Sequence, residues 1–160
     1  MRVEVSRDVA APPAVVWDVL TDWERQPDWM VDARAVEVLS DHREGVGVQL
    51  RTPTRVLGVT VEDRMRVTTW CERQLLGVRH TGRLIVGEGA FELVASPAGT
   101  RVVWWEEIDP PLGPVGELVA RLLLRPYLTS LFGRSLAALQ RCCERAARHD
   151  GSWGSAAGRG

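Results

Sequence analysis

Leu57-Gly58-Val59-Thr60-Val61-Glu62-Asp63-Arg64-Met65-Arg66-Val67-Thr68 alternates between apolar and polar side chains. Leu57, Val59, Val61, Met65 and Val67 share one parity, and Thr60, Glu62, Arg64, Arg66 and Thr68 share the other. Successive side chains of a strand point to opposite faces, so residues 55–69 read as a strand with one buried and one wet face. Upstream, Val46, Val48 and Leu50 alternate with Gly47, Gln49 and Arg51 behind a turn at Gly45, and Pro53 closes that strand. Val36 and Val38 fit another. Downstream, residues 72–79 and 82–94 predict two further strands. Ser96-Pro97-Ala98-Gly99 is a hairpin turn into a last strand, Arg101 to Ile108, with Val102, Trp104, Glu106 and Ile108 on one face.

Helical spacing brackets this run. Arg2 to Val9 is a first strand, ended by Pro12 and Pro13, and Pro13 suits a helix start. Val15, Val16, Val19 and Leu20 continue that helix, and Asp22 is placed to cap a second short turn limited by Pro27. Trp17, Trp23 and Trp29 recur at six-residue intervals and pin the two turns to one core. After the stiff loop 109–114, Leu118, Val119, Leu122 and Leu123 form one helical stripe. Leu128, Leu131, Phe132, Leu136, Leu139, Cys142 and Ala146 form a second, with a kink expected at Pro126. The domain is drawn over 1–148, and the Gly/Ser-rich residues 149–160 predict a disordered tail.

The 160 residues suffice for one domain, which at this size buries roughly 70% of its unfolded surface. Twenty basic and 21 acidic residues leave a net charge of −1, without the concentrated positive field that a nucleic-acid partner requires. Every basic residue is Arg, which fits a GC-rich, bacterial coding bias. No stretch approaches the ~20 apolar residues of a transmembrane span, and the charged, alternating N-terminus is unlike a signal peptide. Cys71, Cys142 and Cys143 have no framework spacing, which predicts a reduced, cytoplasmic setting.

Consecutive strands joined by short turns imply an antiparallel meander, and a sheet that wide must curl to be covered by one helix. The order resembles the START-like superfamily, the polyketide cyclase/dehydrase and lipid-transport group with the Bet v 1-like helix-grip fold. Four segments carry the resemblance: Val3-Glu4-Val5 with Ala11-Pro12-Pro13-Ala14-Val15-Val16-Trp17; Asp22-Trp23-Glu24-Arg25-Gln26-Pro27-Asp28-Trp29; Gly99-Thr100-Arg101-Val102 with Trp104; and Leu136-Ala137-Ala138-Leu139. It implies an α+β fold of about seven curved strands around a C-terminal helix, with an apolar cavity between them. It does not fix an activity.

Asp63 is the sharpest candidate for chemistry, because it stands on the apolar parity between Val61 and Met65. A carboxyl in a low-dielectric cavity has a raised pKa and exchanges protons with a bound ligand. The simpler account is a bulge that turns it outward, or an ion pair with a neighbouring Arg. Glu106 shares the face of Trp104 and Ile108, although a strand end also solvates charge readily. Arg55 and Arg83 fall on inward parities, as neutralising partners or clamps for a ligand carboxylate. His80 is the one His of the strand region placed to reach a cavity, although a lone His near a turn is more often a surface residue; His42 lies in a polar turn and His149 at the tail. The scattered His and Cys predict no metal site and no cofactor. The glycines of 82–89 are expected to let the sheet bend. Of the adjacent pair, Trp104 is placed inward, and Trp105 is the partner-surface candidate unless Arg side chains cover it.

The expected apolar lining is Leu57, Val59, Val61, Met65, Ile85, Phe91, Trp104, Leu118, Leu122, Leu128 and Phe132. Three functions follow. The first is binding of a hydrophobic small molecule such as a lipid, polyketide or quinone. The second is a cyclase or aromatase using Asp63, Glu106 and an Arg. The third is a protein-interaction module using Trp105 or the 109–114 loop. Paired buried polar groups within reach of one another favour the second, and an open patch around Trp105 favours the third.

Overall fold

The computed structural model describes residues 1–56, 58–82, 85–108, 118 and 120–154. The alternating segments form seven antiparallel strands: β1 (Arg2–Val9), β2 (Glu37–Val38), β3 (Gln49–Val56), β4 (Val59–Cys71), β5 (Leu75–Thr81), β6 (Val86–Ser96) and β7 (Gly99–Ile108). Their order in one sheet is β1-β7-β6-β5-β4-β3-β2, a meander whose last strand takes the first as its neighbour. Helix α1 (Pro13–Thr21) and a 3-10 turn (Trp23–Asp28) separate β1 from β2. A π-helical segment (Ala120–Leu124) leads into the closing helix, α2 (Arg125–Gly154). The expected seven-stranded helix-grip architecture is what the chain adopts.

The boundaries differ where local chemistry overrides pattern. β3 does not stop at Pro53 but continues to Val56, pairing Thr52 with Asp63 and Thr54 with Val61. Pro53 is tolerated because its carbonyl, which accepts from the Arg34 N–H at 3.1 Å, faces the outer edge, so the missing N–H removes no bond to β4. The β3–β4 turn instead falls beside Gly58, whose φ of +84° suits glycine. Asp22 does not cap the 3-10 turn with its side chain; its carbonyl accepts from the Arg25 N–H at 3.0 Å.

Two devices hold the ends of the sheet. Gly99 has φ +133°, and a Cβ there would stand 2.2 Å from the Val9 carbonyl oxygen, so only glycine lets the β6–β7 turn approach β1. Beside it the Thr100 hydroxyl donates to the Ala11 carbonyl at 2.7 Å. The predicted Pro126 kink is a change of helix type: π-helix ends at Leu124, and Pro126 lies in the first turn of α2, where its missing N–H is harmless. Leu128, Leu131, Phe132, Leu136 and Leu139 are buried as expected. The next inward position is Cys143 rather than Cys142. The backbone of α2 is helical to Gly154, past the boundary drawn at 148, and residues 155–160 lie outside the described residues.

Candidate functional site

The sheet and the N-terminal half of α2 enclose a cavity of about 190 Å³. Its apolar wall is built around an aromatic column: Phe91 stacks on Trp104 at 4.8 Å between ring centroids, and Trp104 on Phe132 at 4.1 Å. Trp23, Met30, Leu50, Met65, Leu76, Val78, Ile85, Ile108, Leu124 and Leu128 complete that wall. Its polar end is formed by Asp32, Thr52, Thr54, Asp63, His80 and Glu106.

Three neighbouring alternations converge at that end. Inward positions on β4 run Val61, Asp63, Met65, Val67; on β5, Leu76, Val78, His80; on β7, Val102, Trp104, Glu106. His80 Nδ1 lies 2.9 Å from Asp63 Oδ2, and His80 Nε2 lies 3.1 Å from Glu106 Oε2. The second Glu106 oxygen accepts from the Trp104 indole N–H at 2.9 Å. The side chains of Asp63, His80 and Glu106 are only 6%, 10% and 9% exposed. β6 runs between β5 and β7, so His80 reaches Glu106 only because Gly89 carries no side chain there. A Cβ on Gly89 would sit 2.1 Å from Glu106 Oε2.

The geometry sets the protonation of His80. A neutral imidazole donates from one nitrogen only, and its bare second nitrogen would face a carboxylate. Burial pulls the His80 pKa down, but hydrogen bonds to Asp63 and Glu106, and the charges of both, outweigh it and raise the pKa to about 10. His80 is therefore an imidazolium with both N–H groups committed. It clamps two carboxylates together and has no free nitrogen to act as a base.

Asp32 is the carboxyl of this end that is shifted toward neutrality. It lies between the 3-10 turn and β2, where the Arg55 N–H donates to its backbone carbonyl at 2.9 Å. Burial, reinforced by the charges of Asp63 and Glu106, lifts its carboxyl to about 6 against an opposing backbone hydrogen bond. Asp32 Oδ1 and the Thr52 hydroxyl are buried polar atoms with no hydrogen-bond partner among the described residues. Such atoms cost roughly 1–3 kcal/mol each unless something fills the space beside them.

Of the residues expected from sequence, Asp63, Glu106, Met65, Ile85, Phe91, Trp104, Leu128 and Phe132 line the cavity. Val61 is half-buried but does not line it. Four expectations are corrected. Arg55 is exposed, because β3 turns Leu50, Thr52 and Thr54 inward and leaves Arg55 on the opposite parity. Val59 is 63% exposed, because it starts β4 beyond the cover of the helix. Leu118 and Leu122 are 59% and 66% exposed; the wider π turn rotates the 3.6-residue stripe so that Leu124, not Leu122, faces the cavity. Leu57, Arg83 and the 109–114 loop lie outside the described residues.

His80 is corrected in the other direction, from surface residue to the centre of the polar end. The Leu76, Val78, His80 alternation carried that signal. The Val86-Gly87-Glu88-Gly89 glycines marked the space for Glu106. Asp32 sits in a loop with no periodicity and gave no signal. Trp105 is no open patch: the Arg2 guanidinium lies 4.5 Å over its ring, and its indole N–H donates to Glu92 at 2.9 Å. Among the described residues no group of three His, Cys, Asp or Glu could hold a metal ion, and no helix is long and apolar enough to cross a membrane.

No curated protein matches the chain. Solved structures do. A Thermus thermophilus protein superposes with a TM-score of 0.79 at 21% identity, covering 92% of this chain and 99% of that one. The Zhui aromatase/cyclase of Streptomyces sp. R1128 superposes at 0.68 with 23% identity, covering 92% and 93%. A START superfamily protein of Mycobacterium smegmatis gives 0.65 at 20% identity, covering 92% and 97%. At these identities the likeness is one of fold. The sequence profile described as polyketide cyclase / dehydrase and lipid transport matches residues 1–144, from β1 well into α2, so it spans every strand and the cavity. The chain belongs to the polyketide cyclase/dehydrase and lipid-transport family.

Proposed function

We propose that this protein binds a small hydrophobic molecule in the cavity between the sheet and the N-terminal half of α2. The observation that carries the reading is the cavity itself: aromatic and aliphatic over most of its wall, with polar groups gathered at one end. That is the usual composition of a small-molecule site. A volume of about 190 Å³ suits a ligand of one ring with a short substituent. Ligand pockets for drug-sized molecules run to roughly 300–1,000 Å³. A multi-ring ligand therefore requires α2 to move away from the sheet.

A second reading, an enzyme of the cyclase or aromatase kind, draws on one observation. Asp63, His80 and Glu106 are paired and buried beside Asp32, a carboxyl whose pKa of about 6 lets it give and take a proton near neutrality. In that reading Asp32 moves the proton. The imidazolium of His80 holds the other two carboxylates in place beside it.

The test is native mass spectrometry of protein purified from the organism that encodes it, followed by organic extraction. Binding predicts a small apolar molecule at near-stoichiometric occupancy. An empty protein that also takes up none of a panel of single-ring aromatics, quinones and short lipids would refute it. Incubating the extracted molecule with fresh protein then separates the two readings, since a carrier returns it unchanged and an enzyme converts it.

A further inference from the structure

The cavity's charge and its unpartnered atoms together define what the polar end of a ligand must be. Three carboxyl groups face it, Asp32, Asp63 and Glu106, and the only cation among the described lining residues is the His80 imidazolium. Both N–H groups of His80 are already donated to Asp63 and Glu106. The helix side contributes Leu124, Leu128 and Phe132, with no charge. The polar end is thus rich in acceptors and poor in free donors. A ligand carboxylate, phosphate or enolate entering it meets like charge at short range, where a low dielectric makes repulsion strong.

A second observation locates the ligand's polar group. Thr52 is 1% exposed, lines the cavity, and has a buried hydroxyl without a partner among the described residues. Asp32 Oδ1 is likewise buried without a partner. The two belong to adjoining segments: Ala33 bridges to Thr54, and the Arg55 N–H bonds to the Asp32 carbonyl. A folded protein leaves few such atoms unpaired, and those it leaves at a cavity wall are the ones a ligand satisfies.

We propose that the cavity selects a small single-ring molecule carrying a protonated amine, the ring lying against Phe91, Trp104 and Phe132 and the ammonium donating to Asp32 Oδ1 and Thr52 Oγ1. The proposal rests on the reading of this cavity as a ligand site and adds the sign of the ligand's charge.

Four probes of one shape decide it: benzylamine, benzyl alcohol, toluene and benzoate, with dissociation constants measured by ligand-observed NMR at pH 8. The expected order is benzylamine tightest, by about tenfold or more over toluene, as charge-assisted hydrogen bonds provide. Benzyl alcohol falls between them and benzoate binds weakest. Asp32→Asn abolishes the preference for benzylamine over toluene, and Thr52→Val narrows it several-fold. If benzoate binds as well as benzylamine, or if Asp32→Asn leaves the order intact, the charge assignment is overturned while the binding reading stands. If none of the four binds, the binding reading fails, and the charge assignment with it.

Discussion

One helix does two different jobs along its length. From Leu136 to Cys143, α2 lies directly on β1 and α1, and Leu136, Leu139 and Cys143 are at most 1% exposed. Polar ties reinforce that end: Arg7 donates to Gln140 at 3.0 Å, and the Ala10 N–H to Glu144 at 3.2 Å. From Leu124 to Phe132 the end of the π-helical segment and the first turns of α2 border a cavity of about 190 Å³ that holds three carboxyl groups and an imidazolium. The packed end is built from apolar side chains that satisfy one another. The open end buries groups that the fold satisfies only in part. Apolar packing is concentrated at the first and buried charge at the second.

The largest expected effect lies at the open end. His80→Gln leaves Asp63 and Glu106 facing each other without their shared cation, and breaking a buried ion pair by removing one partner costs roughly 3–5 kcal/mol. The wild-type pH profile carries the same information. The folded pKa of about 10 lies above the ordinary 6.5, so the contribution of His80 is complete below pH 6.5 and is lost as pH rises toward 10. Urea unfolding across that range should show wild-type stability falling and His80→Gln nearly flat. A wild type that is flat there would remove the imidazolium clamp.

Next comes Leu139→Ala at the packed end, expected to cost about 2–5 kcal/mol. Leu128→Ala should cost less than half as much, because Leu128 already borders empty space and loses fewer contacts. Equal costs in thermal unfolding would erase the contrast between the two halves. Opposite in sign is Asp32→Asn. The folded carboxyl titrates near 6 against 3.8 unfolded, so ionised Asp32 destabilises the protein above pH 6. Asn should stabilise by up to about 3 kcal/mol at pH 7 and by little at pH 4. A stabilisation independent of pH would contradict the assignment of that pKa. The smallest effect is Arg2→Ala, which uncovers Trp105 at a cost of about 0.5–1 kcal/mol. A larger loss would mean the outer face of β7 matters more than its exposure implies.

The strands were legible because period-two alternation is a direct image of a half-buried sheet, and parity alone turned Asp63, Trp104 and Glu106 inward. The same parity misled where its premise failed. Carried through the hairpin at Gly58, it placed Val59 under a helix that does not reach it. Stopping β3 at Pro53 hid the inward positions Thr52 and Thr54 and put Arg55 on the wrong face. The stripe at Leu118 and Leu122 assumed α-helical spacing across a π turn. His80 was readable from Leu76 and Val78 but was weighed as an isolated histidine, without the two strands that meet it. Asp32 is a different case, since a loop residue acquires its surroundings only when distant segments fold against it.

The most direct test of the account is a toluene titration followed at the tryptophan indole N–H resonances. Trp104 stands at the open end, with its indole N–H bonded to Glu106, and Trp17 lies in the packed region against Trp70. The account predicts a saturable shift at Trp104 and none at Trp17. No shift at Trp104, or equal shifts at both, would contradict it.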